Sequence, residues 1–155
     1  MSIRTNPTMK FPQTLTTSDF SNLTTSVTAG TYTRVFEKQV PAQQYLAWGT
    51  GAIQGGVDNR GILFIDIKDS TPSTIAGKVR LSVSDANYLN EKVIMEERTE
   101  RLNATQTDRT LAQFLAENQI KVGEDSRLII SFKPDTTSTI SVSNTTLTTP
   151  VTTYQ

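Results

Sequence analysis

The chain of 155 residues contains no cysteine and no histidine. Without cysteine there are no disulfides, so folding depends on no oxidising compartment. Without either residue there is no Ser-His-Asp triad, no Cys-His pair, no histidine general base and no ordinary zinc site. Charge of one sign is lacking too: Lys+Arg and Asp+Glu are 15 each, for a formal net charge of zero. Nucleic-acid-binding surfaces normally carry a basic excess, so no direct nucleic-acid partner is expected. No stretch approaches the ~18 apolar residues of a spanning helix, and no membrane span is expected. The opening MSIRTNPTMKF lacks the apolar core of a secretory signal.

What the chain has is threonine. There are 26 Thr and 13 Ser, in a protein whose length fits one domain. The threonines are unevenly placed, with ten in residues 1–33 and nine in residues 136–153. Large apolar residues are sparse over residues 1–30: Phe11, Leu15, Phe20 and Leu23. That composition predicts an extended Thr/Ser-rich arm, residues 1–30, tied down on its own body or on a neighbouring chain. Residues 31–155 form the expected folded domain.

From Tyr32 onward β-branched and aromatic residues dominate, and these favour the half-buried surface of a sheet. Expected strands are Val35–Val40, stopped by Pro41, and Tyr45–Trp48, closed by Gly49 and Gly51. The run GILFIDIKD, nearly continuous in apolar residues, reads as a strand covered on both faces. Over residues 75–83, Ile75, Gly77, Val79, Leu81 and Val83 alternate with Ala76, Lys78, Arg80 and Ser82, which predicts one wet face. Further strands are expected over residues 93–100, 128–133, 140–142 and 145–154, the last confined to an edge or bulge by Pro150. Leu111, Phe114 and Leu115 instead follow a helical period, so Thr107–Asn118 reads as one short helix. About eight closely spaced strands predict a mainly β fold: a single jelly roll or related antiparallel β-sandwich, with one short helix and an extended N-terminal arm.

Candidate chemistry is thin. The loop Gly49–Gly61 lacks the Gly-Lys-Ser/Thr of a phosphate loop, and a strand rather than a helix follows it. Glu96 and Glu97 are adjacent on a strand and point to opposite faces, so they cannot form a glycosidase carboxylate pair. Asp58, Asn59, Asp66, Asp69, Asp85 and Asn87 sit near turns but show no calcium-loop spacing. Three glycosylation sequons begin at Asn22, Asn103 and Asn144, as a Thr-rich chain generates by chance. No catalytic residue, cofactor site or metal site is therefore expected, and the protein is not expected to be an enzyme. The run Glu96-Glu97-Arg98-Thr99-Glu100-Arg101 mixes signs closely, as on a solvated strand face or a subunit interface. The candidate interface set is Phe11, Phe20, Trp48, Glu96, Arg98, Glu100, Arg101 and Tyr154.

The segments Val40-Pro-Ala-Gln-Gln-Tyr-Leu-Ala-Trp-Gly49 and Asn59-Arg-Gly-Ile-Leu-Phe-Ile-Asp66 carry a resemblance. So do Gly77-Lys-Val-Arg-Leu81, Glu96-Glu-Arg-Thr-Glu-Arg-Leu102, Glu124-Asp-Ser-Arg-Leu-Ile-Ile130, Lys133-Pro-Asp135 and the ending Pro150-Val-Thr-Thr-Tyr-Gln155. Over about residues 36–155 the chain resembles small capsid-associated structural proteins of archaeal viruses. The resemblance implies a virion protein with a jelly-roll-like core, a capsid or capsid-decorating subunit with no active site. Its partners would be copies of itself, as a homo-oligomer, and other virion proteins. Its place would be the virion, assembled in the host cytoplasm. The arm lies outside the matching region. Two other classes fit the composition: a β-sandwich module binding carbohydrate through Trp48, Tyr45 and the Gly49–Gly61 loop, and a cellular filament or surface-layer subunit.

Overall fold

The structure, a computed structural model, describes residues 10–48, 53–54, 57–58, 63–103, 115 and 120–154. Two five-stranded antiparallel sheets account for most of them. The first sheet contains β1 (Lys10–Thr16), β5 (Tyr45–Trp48), β8 (Phe64–Asp66), β11 (Lys121–Val122) and β14 (Thr146–Tyr154). The second contains β2 (Ser21–Asn22), β4 (Thr33–Gln39), β9 (Gly77–Ser84), β10 (Lys92–Arg98) and β12 (Arg127–Pro134). Short ladders join β3 (Ser26–Val27) to β13 (Ser138–Thr139), and β6 (Ile53–Gln54) to β7 (Val57–Asp58). A one-turn helix α1 (Thr99–Leu102) follows β10, and a 3₁₀ turn over Thr17–Asp19 follows β1.

The first sheet is organised around the last strand. β14 pairs along one side with β1, from Lys10 opposite Tyr154 to Thr16 opposite Thr148. Along its other side it pairs first with β8, through Thr146–Thr148, and then with β5, through Val151–Tyr154. Thr149 and Pro150 fall in the gap between those two partners. A proline lacks an N–H, and this position asks for none on that side. Pro150 therefore sits inside a nine-residue strand without breaking a ladder. In the second sheet the order is β10-β9-β12-β4-β2, with register shifts at Val93/Met95 and at Ile130/Ser131.

Both sheets contribute to one apolar core. Leu15, Leu46, Trp48, Ile65, Leu147 and Val151 come from the first sheet; Phe36, Val79, Leu81, Leu128, Ile130 and Phe132 come from the second. Alternation along β9 and β12 places these residues on the inner face, as period-2 patterning requires. The Trp48 Nε1–H donates to Thr149 Oγ1 at 2.9 Å, so the one polar atom of the tryptophan is satisfied inside the sandwich.

Of the Thr/Ser-rich segment, residues 10–30 carry three strands paired to the body, so this part is extended and lies on its own chain, with Leu15, Phe20 and Val27 buried in the core. Other sequence expectations need revision. The strand expected over 140–142 is instead the two-residue β13 just before it. Ile140 is buried, and its N–H donates to Thr25 O at 2.8 Å outside any ladder. GILFIDIKD yields only the three-residue β8, although Leu63, Ile65, Asp66 and Ile67 are all buried. The expected helix over Thr107–Asn118 lies outside the described residues, except Leu115, which is helical and buried. The strand expected to reach residue 100 ends at Arg98, where α1 begins.

Gly77 begins β9 opposite Pro134 at the end of β12, with no room for a side chain. A Cβ there would lie 2.4 Å from the Lys133 carbonyl oxygen and 2.8 Å from Pro134 Cα. Both are backbone atoms of a central strand. Gly77→Ala is therefore expected to destabilise by ~1–3 kcal/mol through overpacking. The urea midpoint should fall, and an unchanged midpoint would refute the close packing of β9 on β12.

Candidate functional site

The outer face of the second sheet is where the structure assembles its polar side chains. Register places Arg34, Ser131, Arg80 and Glu96 in one row across β4, β12, β9 and β10. The next row is Glu37, Ile129 and Ser82, and all three are buried although they lie on the outward face. The β9–β10 connection covers them. Asp85 starts it by accepting from Asn87 N–H and Leu89 N–H at 2.9 Å each, a side-chain cap typical of Asx turns. Tyr88 and Asn90 then adopt left-handed φ of 62° and 55°, which costs a tyrosine about 1–2 kcal/mol.

The contacts of that connection offset the strain. The Tyr88 hydroxyl donates to Glu37 Oε2 at 2.6 Å, and Arg127 Nη1 donates to Glu37 Oε1 at 2.7 Å. Arg127 Nε also donates to the Ala86 carbonyl at 2.9 Å. The Arg34 and Arg127 guanidinium carbons lie 4.9 and 4.5 Å from the Tyr88 ring centroid, within cation–π range. Glu91 pairs with Arg34 at 3.2 Å and accepts from Ser82 Oγ at 3.2 Å. Beside this, Arg80 lies 3.7 Å and Lys133 5.0 Å from the Tyr32 ring centroid. Between the two tyrosines runs an open groove of about 670 Å³, lined by Leu23, Tyr32, Arg34, Arg80, Tyr88 and Glu91 with Ser131 between the two arginines.

The electrostatics follow the contacts. Burial, then the neighbouring Glu96 carboxylate, pushes the Tyr32 phenol above its ordinary value. The hydrogen bond to Glu37, then burial, pushes Tyr88 up as well. The Arg80 hydrogen bond holds Glu96 below the usual carboxylate range. Hydrogen bonds from Arg98 do the same for Glu100 and Asp135.

The sequence-predicted interface residues are scattered. Phe11 stands in β1 opposite Thr153. Phe20 and Trp48 are buried in the chain's own core, Trp48 at 1% exposure. Tyr154 is buried too, stacked on Tyr45 with centroids 4.6 Å apart and planes 5° from parallel. The charged members form ion pairs within the chain: Glu96 with Arg80 at 3.1 Å, Arg98 with Glu100 at 2.9 Å and with Asp135 at 2.7 Å, and Arg101 with Glu97 at 2.9 Å. Asp69 and Asp85 cap their turns, Asp69 Oδ1 accepting from Thr71 N–H and Ser73 N–H, while Asp66 accepts from the Thr74 hydroxyl. Among the described residues no group of three carboxylates could hold a metal ion. Each sequon asparagine amide is engaged: Asn22 with the Thr24 and Val35 carbonyls, Asn103 with Asp66 and Thr74, Asn144 with the Asp69 carbonyl.

Sequence patterning missed Tyr32, Glu37, Tyr88 and Arg127, because Tyr88 reaches Glu37 across 51 residues. One signal was present: Ile129 is apolar at an outward position between Arg127 and Ser131, which marks a covered face.

Topology and packing define the class, a mainly β, jelly-roll-like antiparallel sandwich. No protein-family model and no curated protein matches the sequence. Solved structures do match the fold. The VP16-VP17 complex, described as a complex of the two major capsid proteins of bacteriophage P23-77, superposes with a TM-score of 0.65 and 9% identity, over 94% of this chain and 98% of that one. VP17, a capsid protein of the same bacteriophage, superposes with a TM-score of 0.62 and 8% identity, over 94% and 96%. Both neighbours belong to a bacteriophage rather than to an archaeal virus, and the fold is what they share with this chain.

Two outcomes are expected from the network. Arg127 and Glu37 side chains are only 18% and 10% exposed, so Arg127→Ala should cost ~3–5 kcal/mol by leaving a buried carboxylate without its cation; a loss under 1 kcal/mol in chemical denaturation would contradict this. Below about pH 10 both tyrosines are protonated in the folded and unfolded chains alike and add no pH dependence. Above it the unfolded chain ionises first, so stability falls as pH rises toward the raised folded values. Tyr32→Phe and Tyr88→Phe should each flatten that alkaline limb, as read from melting temperature against pH.

Proposed function

We propose that this chain is a non-enzymatic structural subunit of a virion, a capsid or capsid-decorating protein. It associates with copies of itself and with other virion proteins through the Thr-rich segment 1–30 and its sheet edges, after synthesis in the host cytoplasm. The observation that carries this is the end-to-end likeness to capsid proteins, in which 94% of this chain and 96–98% of each of those takes part. The sequence resemblance over about residues 36–155 points to the same class independently. Repetition supplies the energetics, since symmetric assembly reuses one patch many times and modest contacts suffice. The carbohydrate-module reading draws no support from Trp48, whose ring is enclosed by the core.

The test is the state of the purified full chain in solution. Light scattering across a concentration series and negative-stain microscopy are expected to show oligomers or ordered assemblies, and antibodies to the chain should label purified virions. A monomer at every concentration that binds glycans saturably in calorimetry would overturn the proposal in favour of a binding module.

A further inference from the structure

We propose that the outer edge of β1, unpaired among the described residues, is the assembly edge, at which a second copy adds its own β1 antiparallel across a two-fold axis, with Gln13 facing Gln13. This deepens the assembly reading above and rests on it for the premise that the chain associates.

Among the described residues the two main sheets end in five outer strands: β1, β11 and the three-residue β8 in one, β10 and β2 in the other. Edges present unpaired N–H and C=O groups, and soluble proteins guard them by shortness, charge or bulges. β2 and β11 are two residues long. β10 carries Lys92, Glu96, Glu97 and Arg98 and a register shift between Val93 and Met95, so it is charged and irregular. β1 differs. It is seven residues long, pairs with β14 without a register shift, and has Lys10 as its one charge. Gln13, Thr14 and Thr16 are exposed.

The direction of its backbone groups can be read from one hydrogen bond. Thr16 N–H donates to Asp19 Oδ2 at 2.8 Å and not to β14. In an antiparallel strand these groups alternate sides from residue to residue. The amide and carbonyl of Thr14, and the carbonyl of Pro12, therefore face outward, while residues 11, 13 and 15 bond to β14. Pro12 lacks its N–H on the outer side, where the chain itself loses no ladder bond.

A second β1 fits this edge. With Gln13 opposite Gln13, Pro12 falls opposite Thr14, Phe11 opposite Leu15 and Lys10 opposite Thr16, so no like charges meet. Each Thr14 amide faces a Pro12 carbonyl, and this exchange occurs twice across the axis. Such strand addition draws its affinity from main-chain hydrogen bonds, and the contact is isologous and closed.

Because the chain has no cysteine, Gln13→Cys introduces a single thiol. At a non-hydrogen-bonded pair the Cα atoms are about 4.5 Å apart, within disulfide reach. Under mild oxidation Gln13→Cys should form a covalent dimer about tenfold or more faster than Ser70→Cys, an exposed control, because docking raises the effective thiol concentration. Adding Thr14→Lys should abolish the cross-link while leaving the melting temperature unchanged. Thr14→Pro, which removes an outward N–H only, should do the same. If the protein assembles but Gln13→Cys cross-links no faster than the control, the edge proposal falls and the assembly reading stands. If Thr14→Lys blocks association without self cross-linking at residue 13, the edge takes a different strand and the two-fold register is overturned. A chain monomeric at all concentrations overturns both.

Discussion

The first sheet depends on its last strand. Among the described residues β1 and β8 pair only with β14, β5 pairs with β14 on one side and β11 on the other, and β14 is formed by residues 146–154 of a 155-residue chain. Neither β1 nor β8 has its partner until the C-terminal segment is in place, and Trp48 faces Val151 of that same segment. Such pairing between distant residues orders long loops before it is rewarded, which makes this a fold of high contact order. The threonines suit the position. Their β-branched backbones favour extended structure, and their hydroxyls close buried bonds: Thr149 accepts from Trp48, and Thr17 both donates to the Thr145 carbonyl and accepts from Leu147 N–H.

The second sheet solves a different problem. Its inner face is apolar in the usual way, but on its outer face Glu37, Ile129 and Ser82 are buried because the β9–β10 connection folds back across them. The Tyr88–Glu37–Arg127 cluster fastens that connection, and the left-handed residues within it are tolerated because several contacts over-determine their position. Two cation-flanked tyrosines border the groove, whose charged lining is Arg34, Arg80 and Glu91.

Charge and edge chemistry divide the surface into two kinds. The sign-alternating run from Glu96 to Arg101 is spent within the chain, on Arg80, Asp135 and Glu97. Exposed pairs of this sort contribute only ~0–1 kcal/mol each, so they orient β10 and α1 more than they stabilise them. The same charges keep β10 from serving as a template for another strand. The regular β1 carries one charge, at its first residue, and one proline.

Much of the fold was legible because its signals are local. The strand Tyr45–Trp48 was read with the bounds it has, and β4, β9, β10, β12 and β14 were found within a few residues, because alternation and β-branching act over four to eight residues. The wet face expected for residues 76–82 held at Lys78 and Arg80 and failed at Ser82, which is buried by a loop the pattern cannot foresee. The Thr excess at the two ends was visible as composition. That the two ends meet each other, residue by residue from Lys10–Tyr154 to Thr16–Thr148, was not, since a pairing across some 140 residues leaves no local trace. The sequence by itself determined which segments are extended, which face of each is apolar, and which chemistries are absent. Only the tertiary structure decided which strands neighbour which, because register and adjacency are set by packing the two sheets around one core.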